Sequence, residues 1–529
     1  MMLATQAACS SAFIYQPAVG QIWDPSVLYW DGSFFAISMY SPKGNKQYPS
    51  GFLSRSADGA HWQDLGPIAP SQPNFQWWKG FVLPRPDGTF VLNHGVYEAH
   101  GGNDALRILT STDLRNWTTV ATSKPDARWY KPTRWDHMFT KPDPAVKGGY
   151  IGFPVSEPLN ATKYASTWPG VQRSPDGVAW TASAPLDVRW GGGVAPQGIE
   201  EGGIERLMLP DGSFRYFLIG GQGGGGGCYQ MWSFVSDADD IMGPYSPTQR
   251  RFRMSGGLGG WGTCYSFGGL GAWVAGPTKT GAAKSGPLIS QYITPGGGSA
   301  GRLDVWMLPM RAPVAAQMAD GTPFLRLGYW PGNDVLLGAP LAPPPKPTAA
   351  VSCAGSAAGY GVAWVAELDA AAHSTGAYLL ANLSATGEGA VGLAIEYPGS
   401  AESTAIVLTV GVDSDDDARA SNATILHVDM HGKPAVIDTA GAFACGGKGG
   451  NATCGVASVT AVVPGAAAMH TVRLFVRRGM FEVYIDELLV TSHVYRYTAN
   501  ASGRVGLACI GAASASLADA KVGRLDLGQ

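Results

Sequence analysis

The sequence predicts an all-β protein, a five-bladed β-propeller followed by a C-terminal β-sandwich, and three observations carry that expectation. Helix-period patterning is nearly absent, and short alternating segments end in Asp-Gly or glycine-rich turns. A Ser-x-Asp-x-x-x-Trp unit recurs, starting at Ser56, Ser111 and Ser174, with glycine in fourth place at the first and third and Leu114 at the second, and with a degenerate copy at Ser236, at spacings of 55, 63 and 62 residues. That period suits one four-stranded blade. Beyond it, the proline-dense stretch from Leu341 separates a second region of period-two strands.

Each blade opens with its own hairpin signal. These are DGSFFAISMY from Asp31, DGTFVLNHGV from Asp87, KGGYIGFPV from Lys147, DGSFRYFLIG from Asp211 and GGLGAWVAGP from Gly268. The boundaries that follow are an N-terminal segment at 1–20, the propeller at 21–311, a linker at 312–350 and the sandwich at 351–529. In the last, His470 to Tyr497 reads as strands about a tight turn at Arg478-Gly479. Trp62, Trp117 and Trp180 close the repeats and read as blade packing.

The chain has 529 residues, 45% of them hydrophobic, with 37 basic against 40 acidic residues. A net charge of −3 gives no footprint for nucleic acid or for an anionic membrane surface. No apolar run is long enough to span a bilayer. Six of the eleven asparagines lie in sequons, Asn116, Asn160, Asn382, Asn422, Asn451 and Asn500. Chance predicts roughly one or two. A secreted or vacuolar-lumen glycoprotein is expected, with cysteine pairs 228–264, 353–509 and 445–454 and Cys9 left over. No C-x-x-C occurs, and Asp413, Asp415 and Asp417 lack the glycine and late glutamate of a calcium loop. Neither metal nor cofactor is expected.

The inner strands of a propeller converge on its central channel, so carboxylates at their starts meet there. Asp24 opens blade 1, Asp136 opens blade 3, and Glu200 with Glu201 opens blade 4. Glycoside cleavage needs this equipment, one carboxyl as acid and another as nucleophile or base.

The segment IWDPSVLYWDGSFFAISMYSP from Ile22 resembles the first motif of the invertase, inulinase and levanase group, glycoside hydrolase family 32. IEEGGIERL from Ile199 is similar to the E-C-P segment of that family, RWDHM from Arg134 stands at its R-D-P, and WMLPMR and LFVRRGMFEVY resemble later segments. The likeness spans nearly the whole chain in order and extends to the arabinanase-like relatives in family 43. It implies Asp24 as nucleophile, Asp136 as transition-state stabiliser and Glu200 as acid/base, with Glu201 as rival acid and Asp143 as a weaker rival to Asp136. Trp23, Trp77, Trp78, Lys79, Arg134, Trp135 and His137 would form the sugar subsite. The implied activity is retaining cleavage of β-fructofuranosidic bonds in sucrose, inulin or levan. The alternatives are a family 43-type furanosidase on arabinose-containing or algal polysaccharides, and a propeller–sandwich that binds carbohydrate without cleaving it. Where the family has asparagine, this chain has Trp23 before the nucleophile, and His137 replaces the proline of R-D-P.

Overall fold

In the computed structural model the described residues are 9–10, 13–43, 49–68, 76–97, 104–160, 168–189, 200–224, 228–247, 254–256, 271–274, 276, 286–293, 306–317, 321–341, 348–352, 360–386, 389–395, 469–477, 480–494, 503–511 and 514–528, with six strand dipeptides between 404 and 460. Alternating apolar residues and Asp-Gly turns produce antiparallel sheets in chain order. Blade 1 is Gln21–Trp30, Ser33–Ser41, Ser50–Ser56 and Trp62–Ile68. Blade 2 is Gln76–Pro84, Phe90–Tyr97, Leu106–Ser111 and Thr118–Ser123. Blade 3 runs from Tyr130–Pro142 through Tyr150–Pro158 and Val171–Ser174 to Thr181–Ser183. Blade 4 contains Glu200–Met208, Phe214–Gly224, Cys228–Ser236 and Tyr245–Pro247. The first strands of successive blades touch around a ring, and Gly271–Val274, which opens blade 5, touches the first strand of blade 1.

The repeat builds the turn between the two outer strands of a blade. Ser56 Oγ accepts from the Gly59 amide at 2.8 Å, and Asp58 Oδ1 accepts from the His61 amide at 2.8 Å. The same carboxylate bonds recur at Asp113 and Asp176. With the amides satisfied, Trp62 and Trp117 bury their rings in the blade, and Trp180 packs half-buried against it.

Blade 5 corrects one expected boundary. Arg311–Gln317 and Pro323–Tyr329 lie almost wholly within the expected linker at 312–350, yet they are the outer strands of this blade, paired from Arg311↔Tyr329 to Gln317↔Pro323. Their prolines disguise them, because proline is tolerated on an edge strand. The last strand then pairs with Leu488–Val494 through Gly328↔Leu488, so the blade continues into the sandwich.

One sandwich sheet holds Met480–Ile485, His470–Arg477, Ala377–Thr386 and Ser514–Leu525. The other holds Tyr360–Leu368, Gly503–Gly511 and Gly389–Ile395. Leu379, Leu474 and Phe481 meet Leu393 and Leu507 between them. Of the cysteines in the expected pairs, Cys264, Cys353 and Cys445 lie outside the described residues, as does the Arg478-Gly479 turn. The propeller docks through aromatic contacts, Phe13 on Phe475 at 5.7 Å and Tyr329 on Phe475 at 5.8 Å between ring centres.

Candidate active site

The inner strands of blades 1 to 4 each lose register early in their course. The slips fall between Trp23 and Ser26, Trp77 and Gly80, Trp135 and Met138, and Glu201 and Gly203. A bulge inserts an unpaired residue, bends the strand and re-aims a side chain. Asp24, Lys79 and Asp136 fall inside these unpaired segments, and Glu200 stands just before the fourth. Asp24 adopts a left-handed φ of 48°, a conformation that aspartate tolerates better than most residues. Gly80 permits the second bulge, since a Cβ there would lie 2.4 Å from the Asn93 carbonyl oxygen. The amide of Met138, displaced by the third bulge, donates to Asn93 Oδ1 of blade 2 at 2.8 Å.

Arg134 ties two of the acids together. Its Nη2 donates to Glu200 Oε1 at 2.6 Å and to Asp136 Oδ2 at 3.2 Å, joining blades 3 and 4. Asp136 is fully buried and also accepts from the His137 amide at 2.7 Å. Burial alone would push its carboxyl up, but the His137 ring and amide and the Arg134 guanidinium prevail and hold it at about 2. It is therefore a fixed anion. Asp24 receives a hydrogen bond from the Tyr292 hydroxyl of blade 5. Its carboxyl is raised, chiefly by burial; Lys79, Tyr292 and His137 oppose the rise, and the negative charge of Glu200 adds to it. Burial thus outweighs the hydrogen bond and the nearby cation at Asp24.

Of the expected subsite residues, Trp23, Lys79, Arg134 and His137 join this cluster. Trp23 is half-buried with its ring centre 6.1 Å from that of Tyr292. His137 is almost completely buried, and neither ring nitrogen has a hydrogen-bond partner among the described residues; Nδ1 lies 3.5 Å from Asp136 Oδ1. Trp77 and Trp135 do not join it. Trp77 packs in the core with Leu28 and Ile68 and stacks on His94 at 4.6 Å, while Trp135 packs with Tyr130 and donates from Nε1 to Ser123. The side chains of Trp78 and Glu201 lie outside those described. Asp143 sits beyond the far end of the blade 3 strand, bonded to Arg173 Nε at 2.8 Å, and belongs to a turn. Tyr292 and Asn93 carried no sequence signal, since a tyrosine or asparagine in a strand reads as packing or turn chemistry.

No protein-family model matches the chain, and no curated protein sequence does. Solved structures do match. An exo-inulinase from Aspergillus awamori superposes with a TM-score of 0.65 at 13% identity, over 98% of each chain. A sucrose-6-phosphate hydrolase from Lactobacillus gasseri gives 0.64 at 13%, over 99% of this chain and 94% of that one. A glycoside hydrolase family 32 β-fructofuranosidase from Bombyx mori gives 0.60 at 12%, over 98% and 94%. The chain has the family 32 fold, a propeller joined to a β-sandwich.

Proposed function

We propose that the protein is a retaining glycoside hydrolase acting on β-fructofuranosidic bonds of the sucrose, inulin or levan type. The observation that carries the reading is the meeting of three carboxyls from three blades, with Arg134 bridging Asp136 and Glu200 and Asp24 within electrostatic reach of Glu200. Asp24 attacks the anomeric carbon while Glu200 protonates the departing oxygen, giving a glycosyl-enzyme ester. Water then attacks that carbon as Glu200 takes its proton, and Asp24 leaves as carboxylate. Asp136, held anionic, bonds sugar hydroxyls and stabilises the positive charge that develops on the ring. His137 backs Asp136, its Nδ1 3.5 Å from Asp136 Oδ1, and the half-buried Trp23 offers a face for stacking. An oligo- or polysaccharide is the expected partner; the related fructan 1-exohydrolase from Cichorium intybus has been solved with 1-kestose. Exposed Asn116 and Asn160 suit a glycosylated protein of the secretory route, which an endoglycosidase mobility shift would report.

The test is release of reducing sugar from sucrose, inulin, levan and arabinan. Asp24→Asn should abolish turnover on every substrate. Glu200→Gln should fall most on natural substrates and spare the first step on an aryl fructoside, whose leaving group needs little protonation. Turnover on arabinan alone would move the protein to the family 43-type reading. Binding without turnover on all four would make it a carbohydrate-binding protein. Equal losses on activated and natural substrates would overturn the roles given to Asp24 and Glu200.

A further inference from the structure

Lys79 occupies, on blade 2, the place that Asp24 and Asp136 occupy on blades 1 and 3, inside the bulge of the inner strand. It is 1% exposed. An ammonium group out of water costs several kcal/mol unless an anion or strong hydrogen bonds compensate it. Its Nζ lies 5.2 Å from the centre of the Phe81 ring, which favours the cation without neutralising it. Because Gly80 lets the bulge close on Asn93, the point where Lys79 leaves the strand is fixed by backbone packing. The inner strands of blades 1 and 2 lie against each other, and Asp24 and Lys79 are each the fourth residue of their strand.

We infer that Lys79 is the counter-ion of Asp24, a positioning residue that acts on the nucleophile through charge and across the blade 1–blade 2 contact. This rests on the glycosidase reading only for the role of Asp24. The groups that bear on Asp24 are Lys79, the Tyr292 hydroxyl, Glu200 and His137; Lys79 is the strongest of those favouring its charged form. The consequence for the two half-reactions is symmetrical. Lys79 keeps the carboxylate available for attack, and once the ester has formed it favours the return of Asp24 as an anion when water displaces it. A substrate hydroxyl entering the site meets a Lys79 already committed to Asp24, so its loss is felt as a change in the acid limb of the pH profile.

The test is a double-mutant cycle on the full-length chain, read by thermal unfolding across pH, on wild type, Lys79→Met, Asp24→Asn and the double variant. Lys79→Met should lower the melting temperature at pH 7, because it leaves an ionised Asp24 unpaired. The loss should shrink as acid protonates Asp24, and in the Asp24→Asn background the same change should cost nothing or stabilise. Lys79→Arg should retain most of the wild-type behaviour. An equal loss in both backgrounds at all pH values would make Lys79 merely structural and overturn the inference. If Lys79→Met does not fold, the double variant should, since neither charge remains; its failure would equally overturn it. On sucrose and an aryl fructoside, the acid limb of kcat/KM should move to higher pH in Lys79→Met, and an unmoved limb refutes the inference. A wild type without turnover on any sugar overturns the glycosidase reading instead, and the stability cycle still decides the role of Lys79.

Discussion

Where the propeller meets the sandwich, Arg311 and Glu482 form an ion pair with side-chain exposures of 0% and 1%. Arg311 opens the third strand of blade 5, and Glu482 lies on a strand of the sandwich. The guanidinium also donates to Gln291 and, at 2.8 Å, to Ser492 Oγ; Glu482 accepts from Tyr484 Oη at 2.8 Å and from Ser492 at 3.0 Å. An exposed pair of this kind contributes about 0–1 kcal/mol. Removing one partner of a fully buried pair costs about 3–5 kcal/mol, because the other charge stays in a dry interior. Glu482→Gln keeps the shape and removes the charge, so the larger figure applies. Urea unfolding followed by fluorescence should show a midpoint shift worth about 3 kcal/mol or more. Replacing both partners, Arg311→Met with Glu482→Leu, should recover most of the loss, since no charge is then stranded. A single-variant loss below about 1 kcal/mol, or a double variant no better than the single, would refute the reasoning.

Tyr292→Phe removes the hydroxyl that favours the Asp24 carboxylate, so the acid limb of kcat/KM should move to higher pH, checked by initial rates across pH. Asp136, held at about 2 against an ordinary 3.8, contributes stability that is complete above about pH 4 and lost as pH falls toward 2. Asp136→Asn should therefore cost about 2 kcal/mol at pH 6, with the gap to wild type narrowing by pH 3 in urea titrations. Asn93→Leu leaves the Met138 amide without its acceptor, and should cost about 1–3 kcal/mol in urea unfolding while reducing turnover through a displaced Asp136.

The blades were legible because the Ser-x-Asp-x-x-x-Trp turn is local chemistry: a hydroxyl, a carboxylate and the amides they satisfy all lie within seven residues. Asp24, Asp136 and Glu200 stood out in the sequence because acids in inner strands have few structural duties, and the structure brings Asp136 and Glu200 onto one arginine. The subsite was less so, and the bulges explain why. In a regular strand Trp77 and Lys79 share a face, as do Trp135 and His137. Each slip breaks that parity, so the tryptophan turns into the blade core while its neighbour two residues on stays with the acids. Period-two reasoning cannot see a one-residue insertion. Tyr292 reaches Asp24 from 268 positions away, a juxtaposition that closure of the ring creates and no local pattern encodes.

The pairing of blade 5 with the sandwich through Gly328↔Leu488 bears on how the propeller avoids self-association. The outer strand of blade 1 is met by the N-terminal strand Cys9–Ser10, whereas the last strand of blade 5 has its edge taken up by the second domain, where the Tyr329 amide also donates to the Glu487 carbonyl at 2.7 Å. An uncovered strand edge is a template for another chain. A propeller cut off before residue 351 would carry its complete acid cluster and an adhesive rim, so its failure would come as self-association, visible by light scattering, before any loss of the chemistry at the centre.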